Sequence, residues 1–363
     1  MKINSIDIKN FRCIDHQNLT FDDLNIIVGN NGQGKTSLLE SIYLLAFTKS
    51  HKTNAEKEVI QTGSDFCKID ASMMIQDMNY HFGLSMTKTK KKVLINNDEQ
   101  KKLSEYIGHI NVVMFSPDDL RIIKGEPSIK RKFIDVELGQ TSSIYIKDLL
   151  FYRTILKQRN ELLKTLEVDS DLTYLDVITD QLLEYAKRII DSRQEFIIAI
   201  NKHINPIHND LTADKESLKI VYKTKHKKSL KEELKAKYAY DIITGTTSLG
   251  PHRDDLVILV NEEDVSVFGS QGQQRTAVLS LKLGLIQFIY DMLGVYPILL
   301  LDDVFSELDA ERLNSLVGYI KPNIQTFITT TDINLIKQDL ISKAKLLQVT
   351  SGNFRGSDLD EWI

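Results

Sequence analysis

The sequence predicts an α/β protein whose mixed, mostly parallel sheet is interrupted by an inserted helical lobe. Three observations lead there. Near the N-terminus an apolar strand, Leu24 to Val28, runs through a glycine-rich loop into a helix. From about Glu126 to Ile204 the apolar residues recur at helical spacing. From residue 256 onward strand and helix signals alternate, the pattern of parallel strands joined by crossover helices.

In chain order, strand signals stand at Lys2 to Lys9, Leu24 to Val28, Phe66 to Met74, Tyr80 to Met86 and Lys92 to Ile95, the last before an Asn96-Asn97-Asp98 turn. One helix, roughly Lys35 to Phe47, falls among them. The lobe reads as three helices with breaks near Gly139 and Val168 to Leu172, ending near Asn205-Pro206, where the proline interrupts the pattern. Strands return at Leu256 to Val260, Pro297 to Leu301, Ile324 to Ile328 and Leu346 to Val349. Helices are expected between them at Gly272 to Met292, Asp309 to Ile320 and Asn334 to Lys343. A polar, acidic tail runs from Gly352 to Ile363.

At ~100 to 200 residues per domain, 363 residues make two domains or one large domain with an insertion. An apolar content of 42% supports a sizeable core and excludes collagen-like and wholly disordered classes. The longest candidate span, Pro297 to Leu301, runs straight into Asp302 and Asp303, far short of the roughly 18 apolar residues of a membrane helix. The first residues alternate like a strand rather than forming the apolar core of a signal peptide, so a cytoplasmic protein with no membrane partner is expected. Cys13 and Cys67 stand too far apart for a clustered zinc site and form no disulfide framework. A net charge of −4 requires any nucleic-acid binding to come from local patches.

The chemistry begins at Gly29-Asn30-Asn31-Gly32-Gln33-Gly34-Lys35-Thr36, which satisfies the phosphate-loop pattern GxxxxGK[ST] between a strand and a helix. Its glycines let backbone N–H groups turn inward around phosphate oxygens, and the helix aims its positive end at them. Lys35 reaches the β and γ phosphates, and Thr36 offers a hydroxyl to Mg2+. The run Ile298 to Leu301 followed by Asp302-Asp303 is too continuous for a one-sided strand. It reads as a buried parallel strand with two carboxylates at its ligand-binding tip. Asp302 is placed to hold Mg2+, directly or through water, and Asp303 to act as general base toward an attacking water. A third element, Ser270-Gln271-Gly272-Gln273-Gln274-Arg275, opens a helix with Ser270 as N-cap. Ser306-Glu307-Leu308-Asp309 follows the acidic strand.

Together these stretches resemble the head domain of ABC-type ATPases, in their SMC-like repair branch, and there the RecF family. The likeness extends to Asn10-Phe11-Arg12, Lys49-Ser50-His51-Lys52-Thr53, Phe115-Ser116-Pro117-Asp118-Asp119-Leu120, Gly250-Pro251-His252-Arg253-Asp254-Asp255 and Leu301 to Asp309. It implies an ATPase head formed by residues 1–124 and 213–363, with the helical lobe at 125–212. It also implies two ATP molecules held between two copies of the chain, the Ser270, Gly272 and Gln273 helix start of each facing the γ phosphate on the other. Slow hydrolysis, with Lys35 and Asp303 as catalytic residues and Mg2+ on Thr36 and Asp302, would then release the dimer. RecF-like proteins bind DNA at gaps and single-strand/double-strand junctions, work with RecO and RecR to load RecA, and serve replication, repair and the SOS response. Three departures from the broader ABC pattern stand out. Asp303 replaces the usual glutamate, Thr329-Thr330-Thr331-Asp332 lacks the histidine of many heads, and no glutamine marks Phe115 to Leu120.

For DNA contact the candidates are Lys88, Lys90, Lys91 and Lys92, and Lys223, Lys225, Lys227 and Lys228 within a lysine-rich stretch from Lys219 to Lys237. A third basic group comprises Arg121, Lys124, Lys130, Arg131 and Lys132. Without aromatic interleaving, the expected contact is with backbone and shape. Arg12 reads either as a nucleotide contact or as a surface cation, and His252-Arg253 as a structural or interface turn ahead of a phosphate or DNA contact. The competing classes are a transporter ATPase subunit, which the long lobe disfavours, and a phosphotransferase kinase or GTPase. No guanine-reading NKxD stands where a GTPase needs it, and the Ser270 helix start would be idle in a monomeric kinase.

Overall fold

The computed structural model describes residues 1–53, 55–306, 308 and 310–356. Glu307, Asp309 and most of the expected acidic tail lie outside the described residues. The chain forms two compact units, Met1–Asp119 with the described part of Leu281–Ile363, and Leu120–Ser280.

The first unit opens with β1 (Lys2–Phe11), β2 (Ile14–Thr20), β3 (Leu24–Val28), α1 (Lys35–Phe47), β4 (Phe66–Ile75), β5 (Met78–Thr87), β6 (Lys91–Ile95), β7 (Asp98–Glu99), the single-turn α2 (Leu103–Tyr106) and β8 (Val112–Phe115). The second contains α3 (Arg121–Lys124), α4 (Pro127–Thr141), α5 (Ser143–Leu163), α6 (Thr173–Thr212), β9 (Leu218–Lys223), α7 (Leu230–Ala236), α8 (Tyr238–Thr244), β10 (Asp255–Val260) and β11 (Glu263–Asp264). The helix α9 (Gln271–Leu293) leads the chain back to the first unit, which adds β12 (Ile298–Leu301), α10 (Ala310–Tyr319), β13 (Thr326–Thr330), α11 (Gln338–Ile341), β14 (Lys345–Thr350) and β15 (Asn353–Gly356).

Two sheets make the first unit. One is antiparallel, in the order β2-β1-β4-β5-β6-β7. The other is mixed, in the order β15-β14-β3-β13-β12-β8, parallel except for the final β14/β15 pair. Every residue of β3, β12 and β13 is buried, as strands covered on both faces require. The antiparallel β4 instead alternates buried and open positions. Gln325 fastens β1 to the end of the loop before β13, its Oε1 accepting from Ile3 N (2.7 Å) and its Nε2 donating to Ile3 O (2.8 Å). These bonds fall where β1 slips register between Ile3 and Ser5, so the buried amide satisfies backbone groups the ladder leaves open.

The second unit departs from expectation in three places. α6 continues through Pro206 to Thr212 rather than ending there, because Ile204, Ile207 and His208 extend its buried stripe and outweigh the bond that proline cannot make. The break expected at Gly139 falls at Ser142, whose hydroxyl caps α5 by accepting from Tyr145 N (3.2 Å). Residues 213–280 pack with the helices, since β9, within the lysine-rich stretch, pairs with β10 and Asn201 of α6 clasps both backbone groups of Ile220 at 2.8 Å. The expected division at 124/125 and 212/213 therefore differs from the compact units. In the first unit, the helix expected from Asn334 to Lys343 is two short turns, since Asp332 accepts from Asn334 N (2.9 Å) and Ile336 and Lys337 are extended.

Among the described residues one helix, α9, is long and apolar enough by length and composition to cross a membrane, although no uninterrupted apolar run of that length marks it in the sequence. It is a core helix here, with Ala277, Leu279, Leu281, Leu283, Leu285 and Ile289 buried inside the protein.

Candidate functional site

The loop from Gly29 to Gly34 joins β3 to α1. Gly32 and Gly34 have positive φ, 78° and 113°, which glycine alone adopts without strain. At Gly34 a side chain would also stand 2.9 Å from Cys13 Sγ, so the backbone has room only as it is. The loop is braced from the turn between β14 and β15. Gln33 Oε1 accepts from Ser351 N (2.6 Å) and Gln33 O from Gly352 N (2.8 Å). Both the side-chain oxygen and the backbone carbonyl of Gln33 thus position the loop.

Lys35 is buried and folds back over the loop, its Nζ donating to Gly29 O (2.7 Å) and lying 3.4 Å from Asn30 O and Asn31 Oδ1. The Asp303 carboxylate is 3.7 Å away. An ammonium held closest by neutral carbonyls, with a carboxylate only at the longer distance, is poised for an anion.

Thr36 Oγ1 donates to Asp302 Oδ1 (2.8 Å), joining the start of α1 to the tip of β12. Thr329, at the end of β13, donates from Oγ1 to the same oxygen (3.0 Å) and accepts from Asp303 N (2.9 Å). One threonine hydroxyl thereby fixes both acids, a role that sequence reasoning misses when it notes only the absent histidine. Burial raises the Asp302 carboxyl above its usual range, opposed by the Thr36 bond, the charge of Lys52 and the Thr329 bond. Asp303 adopts φ 51°, a left-handed conformation uncommon outside glycine, and keeps 29% of its side chain open. Such backbone costs of order 1–3 kcal/mol and concentrates at functional sites.

Arg12 has a defined partner. Its Nε and a terminal nitrogen fork onto Glu40 of α1 (3.0 and 2.7 Å), and another donates to Glu58 O (2.7 Å). Burial pushes the Glu40 carboxyl up, but the bonds from Arg12 and Ser50 outweigh it and hold it below its usual value. His51 packs its ring against Tyr43, and burial pushes its pKa down to about 4, so the ring is neutral. At the end of β8, Asp119 receives Ser116 N (2.7 Å) and pairs with Lys282 (3.0 Å), a staple between that strand and α9.

The third element lies in the second unit. Ser270 and Gln273 form a reciprocal capping box, with Gln273 N donating to Ser270 Oγ (3.2 Å) and Ser270 N to Gln273 Oε1 (2.8 Å). Gln273 Nε2 also donates to Glu216 (2.9 Å), so its amide is engaged within the unit. Ser270 itself is exposed, preceded by exposed Val267 and Phe268.

The Gly250–Asp255 turn is a hub of the second unit. Burial pushes His252 down to about 4. The neutral ring donates from Nε2 to Thr247 O (3.0 Å), and its Nδ1 accepts from Tyr152 Oη (2.6 Å). Arg193 donates to Pro251 O (2.7 Å), Arg131 to Asp254 O (2.8 Å) and Lys130 to Leu256 O (3.1 Å). Two members of the third basic group are therefore structural ties.

The other basic groups differ in how far they are neutralised. Lys88 pairs with Asp65 (3.1 Å) and Lys92 with Glu99 (3.0 Å), while Lys91 donates to Thr48 O (2.6 Å); Lys90 is exposed. Lys223, Lys225, Lys227 and Lys228 are all exposed. The loop carrying the last two is tied by Glu233, which accepts from both backbone N–H groups (2.7 and 2.6 Å).

The family model described as RecF/RecN/SMC N terminal domain matches residues 2–353. The chain is 44% identical over 364 residues to the DNA replication and repair protein RecF of Bacillus cytotoxicus, covering 97% of this chain and 98% of the relative. It is 43% identical over 366 residues to the protein of the same name from Oceanobacillus iheyensis, covering 97% and 99%. Among solved structures, the recombination mediator protein RecF of the RecFOR pathway superposes with ATP at TM-score 0.90 and 30% identity, covering 98% of this chain and 97% of that one. An Smc head bound to the C-winged helix domain of ScpA shares the fold, at TM-score 0.57 and 14% identity over 99% of each chain.

Proposed function

Because the chain belongs to the RecF family of DNA replication and repair proteins, we propose that it is an ATP-gated, DNA-binding switch of recombinational repair. The observation that carries this reading is the convergence of Lys35, Thr36, Asp302, Asp303 and Thr329 at the tips of neighbouring strands.

The site fits a magnesium nucleotide. Mg2+ takes oxygen ligands, keeps several waters and is shared with substrate phosphates, and Thr36 with Asp302 offers two oxygens in contact at the foot of the loop. Bound there, Mg2+ would neutralise charge developing on the β and γ phosphates. The chain's own groups do the rest. The backbone N–H groups of the Gly29 to Thr36 loop, apart from those of Gly29 and Gln33, which bond Thr330 O and Asn30 O, bind and orient the triphosphate together with the ammonium of Lys35. Asp303, partly open and steered by Thr329 through its backbone, takes a proton from the attacking water. Asp302 stays in place as ligand because two hydroxyls hold it.

Ser270, Gly272 and Gln273 complete the site from a second copy of the chain, an exposed helix start meeting the γ phosphate across a two-fold axis. Loss of that phosphate removes the contact, so slow, DNA-stimulated hydrolysis acts as the release step. Lys88, Lys90, Lys91, Lys92, Lys223, Lys225, Lys227 and Lys228 contribute to binding DNA at gaps and junctions. RecO and RecR would act with it in loading RecA in the cytoplasm, in line with the pathway named for the solved relative. Sedimentation with and without ATP, Mg2+ and DNA tests the core of this: a dimer should appear with Mg2+ and ATP, and a persistent monomer at saturating nucleotide would overturn it.

A further inference from the structure

We infer that the outward face of the paired strands β9 and β10 is a contact surface for the phosphate backbone of DNA, centred on Arg253 and Lys225. The inference rests on the DNA-binding reading above and adds to it a place and an arginine.

In β9, Leu218 and Ile220 are buried and Lys219 and Lys223 exposed, so the lysines share the outward face. Same-face residues on a strand stand roughly 6.6–6.8 Å apart. The antiparallel register ends with Lys223 opposite Asp255; beyond it Lys225 follows β9, and Arg253 stands in the turn that leads into β10. The strands stay adjacent there, since Lys225 N donates to Asp254 Oδ1 (3.0 Å). Arg253 is held in place through Nε, which donates to Thr247 O (3.2 Å), and the residue is otherwise exposed. A guanidinium fixed by its inner nitrogen has less freedom to lose when its outer fork meets a phosphate.

The cations of this face are not tied into ion pairs. Among the described residues, none of Lys219, Lys223, Lys225 and Arg253 is in an ion pair, whereas Lys88 and Lys92 of the other cluster each have a carboxylate partner. The acids of the face are Asp255, opposite Lys223, whose Oδ1 accepts from Leu256 N (2.8 Å), and Asp264 of β11, opposite Leu259, whose Oδ1 accepts from Ser266 N (2.9 Å) and Ser266 Oγ (2.6 Å). Tyr222 turns inward, donating its hydroxyl to Asp254 (2.7 Å), so it is not offered to stack on bases. The face is built for phosphates rather than for sequence.

The test uses the full chain with Mg2+ and ATP, and a fluorescent duplex carrying a single-stranded extension, titrated across a salt series. Lys223→Gln with Lys225→Gln keeps the backbone bonds of the face in place, and a triple variant adds Arg253→Gln. Each phosphate contact contributes about 0.9 to the slope of log K against log salt, so the slope should flatten by about 1.8 and about 2.7 respectively. Per contact, that is a roughly 3.5-fold smaller loss of affinity between about 50 and 200 mM salt. ATP binding and ATP-driven sedimentation should match the parent chain. An unchanged slope, or a slope that flattens only in Lys88→Gln with Lys90→Gln, overturns the placement. Loss of binding to a polyglutamate probe with DNA binding intact also overturns it, in favour of an acidic protein partner. A parent chain that binds no DNA at any salt removes the DNA-binding reading itself.

Discussion

Asp302→Asn should make the nucleotide-free protein more stable while destroying its function. Asp302 is 4% exposed, and burial lifts its carboxyl above the usual range. Each pKa unit of such a lift represents about 1.4 kcal/mol set against the ionised form at neutral pH. A carboxyl with a raised folded pKa favours the native state fully below its unfolded pKa and loses that contribution as pH rises through the folded value. Asparagine keeps an oxygen that can accept from both Thr36 and Thr329, so neither bond is forfeited. In a melting experiment near pH 7.5 without nucleotide, the midpoint should rise by roughly 2–4 °C per kcal/mol relieved, and the gain should shrink as the pH falls toward about 4. Mg2+ with ATP should then stabilise the parent and leave the variant unmoved. A variant that melts lower without nucleotide at neutral pH, or whose difference grows in acid, would refute the claim that this carboxylate is kept against the interest of the fold.

Lys35→Met should abolish ATP binding measured by equilibrium dialysis, since the buried ammonium is the cation nearest the loop. Ser270→Arg should leave that binding intact and eliminate ATP-driven dimers in sedimentation, because the substitution fills an exposed helix start. Asp303→Asn should lower ATP turnover by about 10²-fold or more, within the range of general-base contributions, and preserve an ATP-bound dimer on gel filtration. Arg12→Ala strands the buried Glu40 carboxylate. Denaturant unfolding should show a loss at or below the low end of about 3–5 kcal/mol, because Arg12 keeps 24% of its side chain in solvent. In the parent, the Glu40 contribution is present above the unfolded carboxyl range and fades as pH drops through its depressed folded value.

Strong local chemistry is legible in the amino-acid sequence itself. The strand-to-helix context of Gly29 to Thr36 and the buried run before Asp302 specify β3, α1 and β12, because neither a glycine loop ending in Lys-Thr nor paired acids on an apolar strand has many other uses. β9 is hidden by its lysines: Leu218, Ile220 and Tyr222 face inward, but a lysine-rich stretch reads as solvated surface. β8 is short and gains its identity from β12, distant in the chain, while β2 is a polar edge strand set by its immediate neighbour β1. Thr329 is invisible as a site residue at the level of sequence, since its hydroxyl matters only once β13 lies beside β12. The proline in α6 misleads because a local stop signal loses to tertiary burial.

The hold that Gln33 keeps on Ser351 and Gly352 joins residues about 318 positions apart. β3, which launches the loop, likewise sits between β13 and β14, so its neighbours on both sides are made about 300 residues after it. A nascent chain therefore carries the motif long before it can shape it, and its central strand waits with both edges bare. The loop can take its shape only once the segment carrying β13, β14 and the turn to β15 has been made.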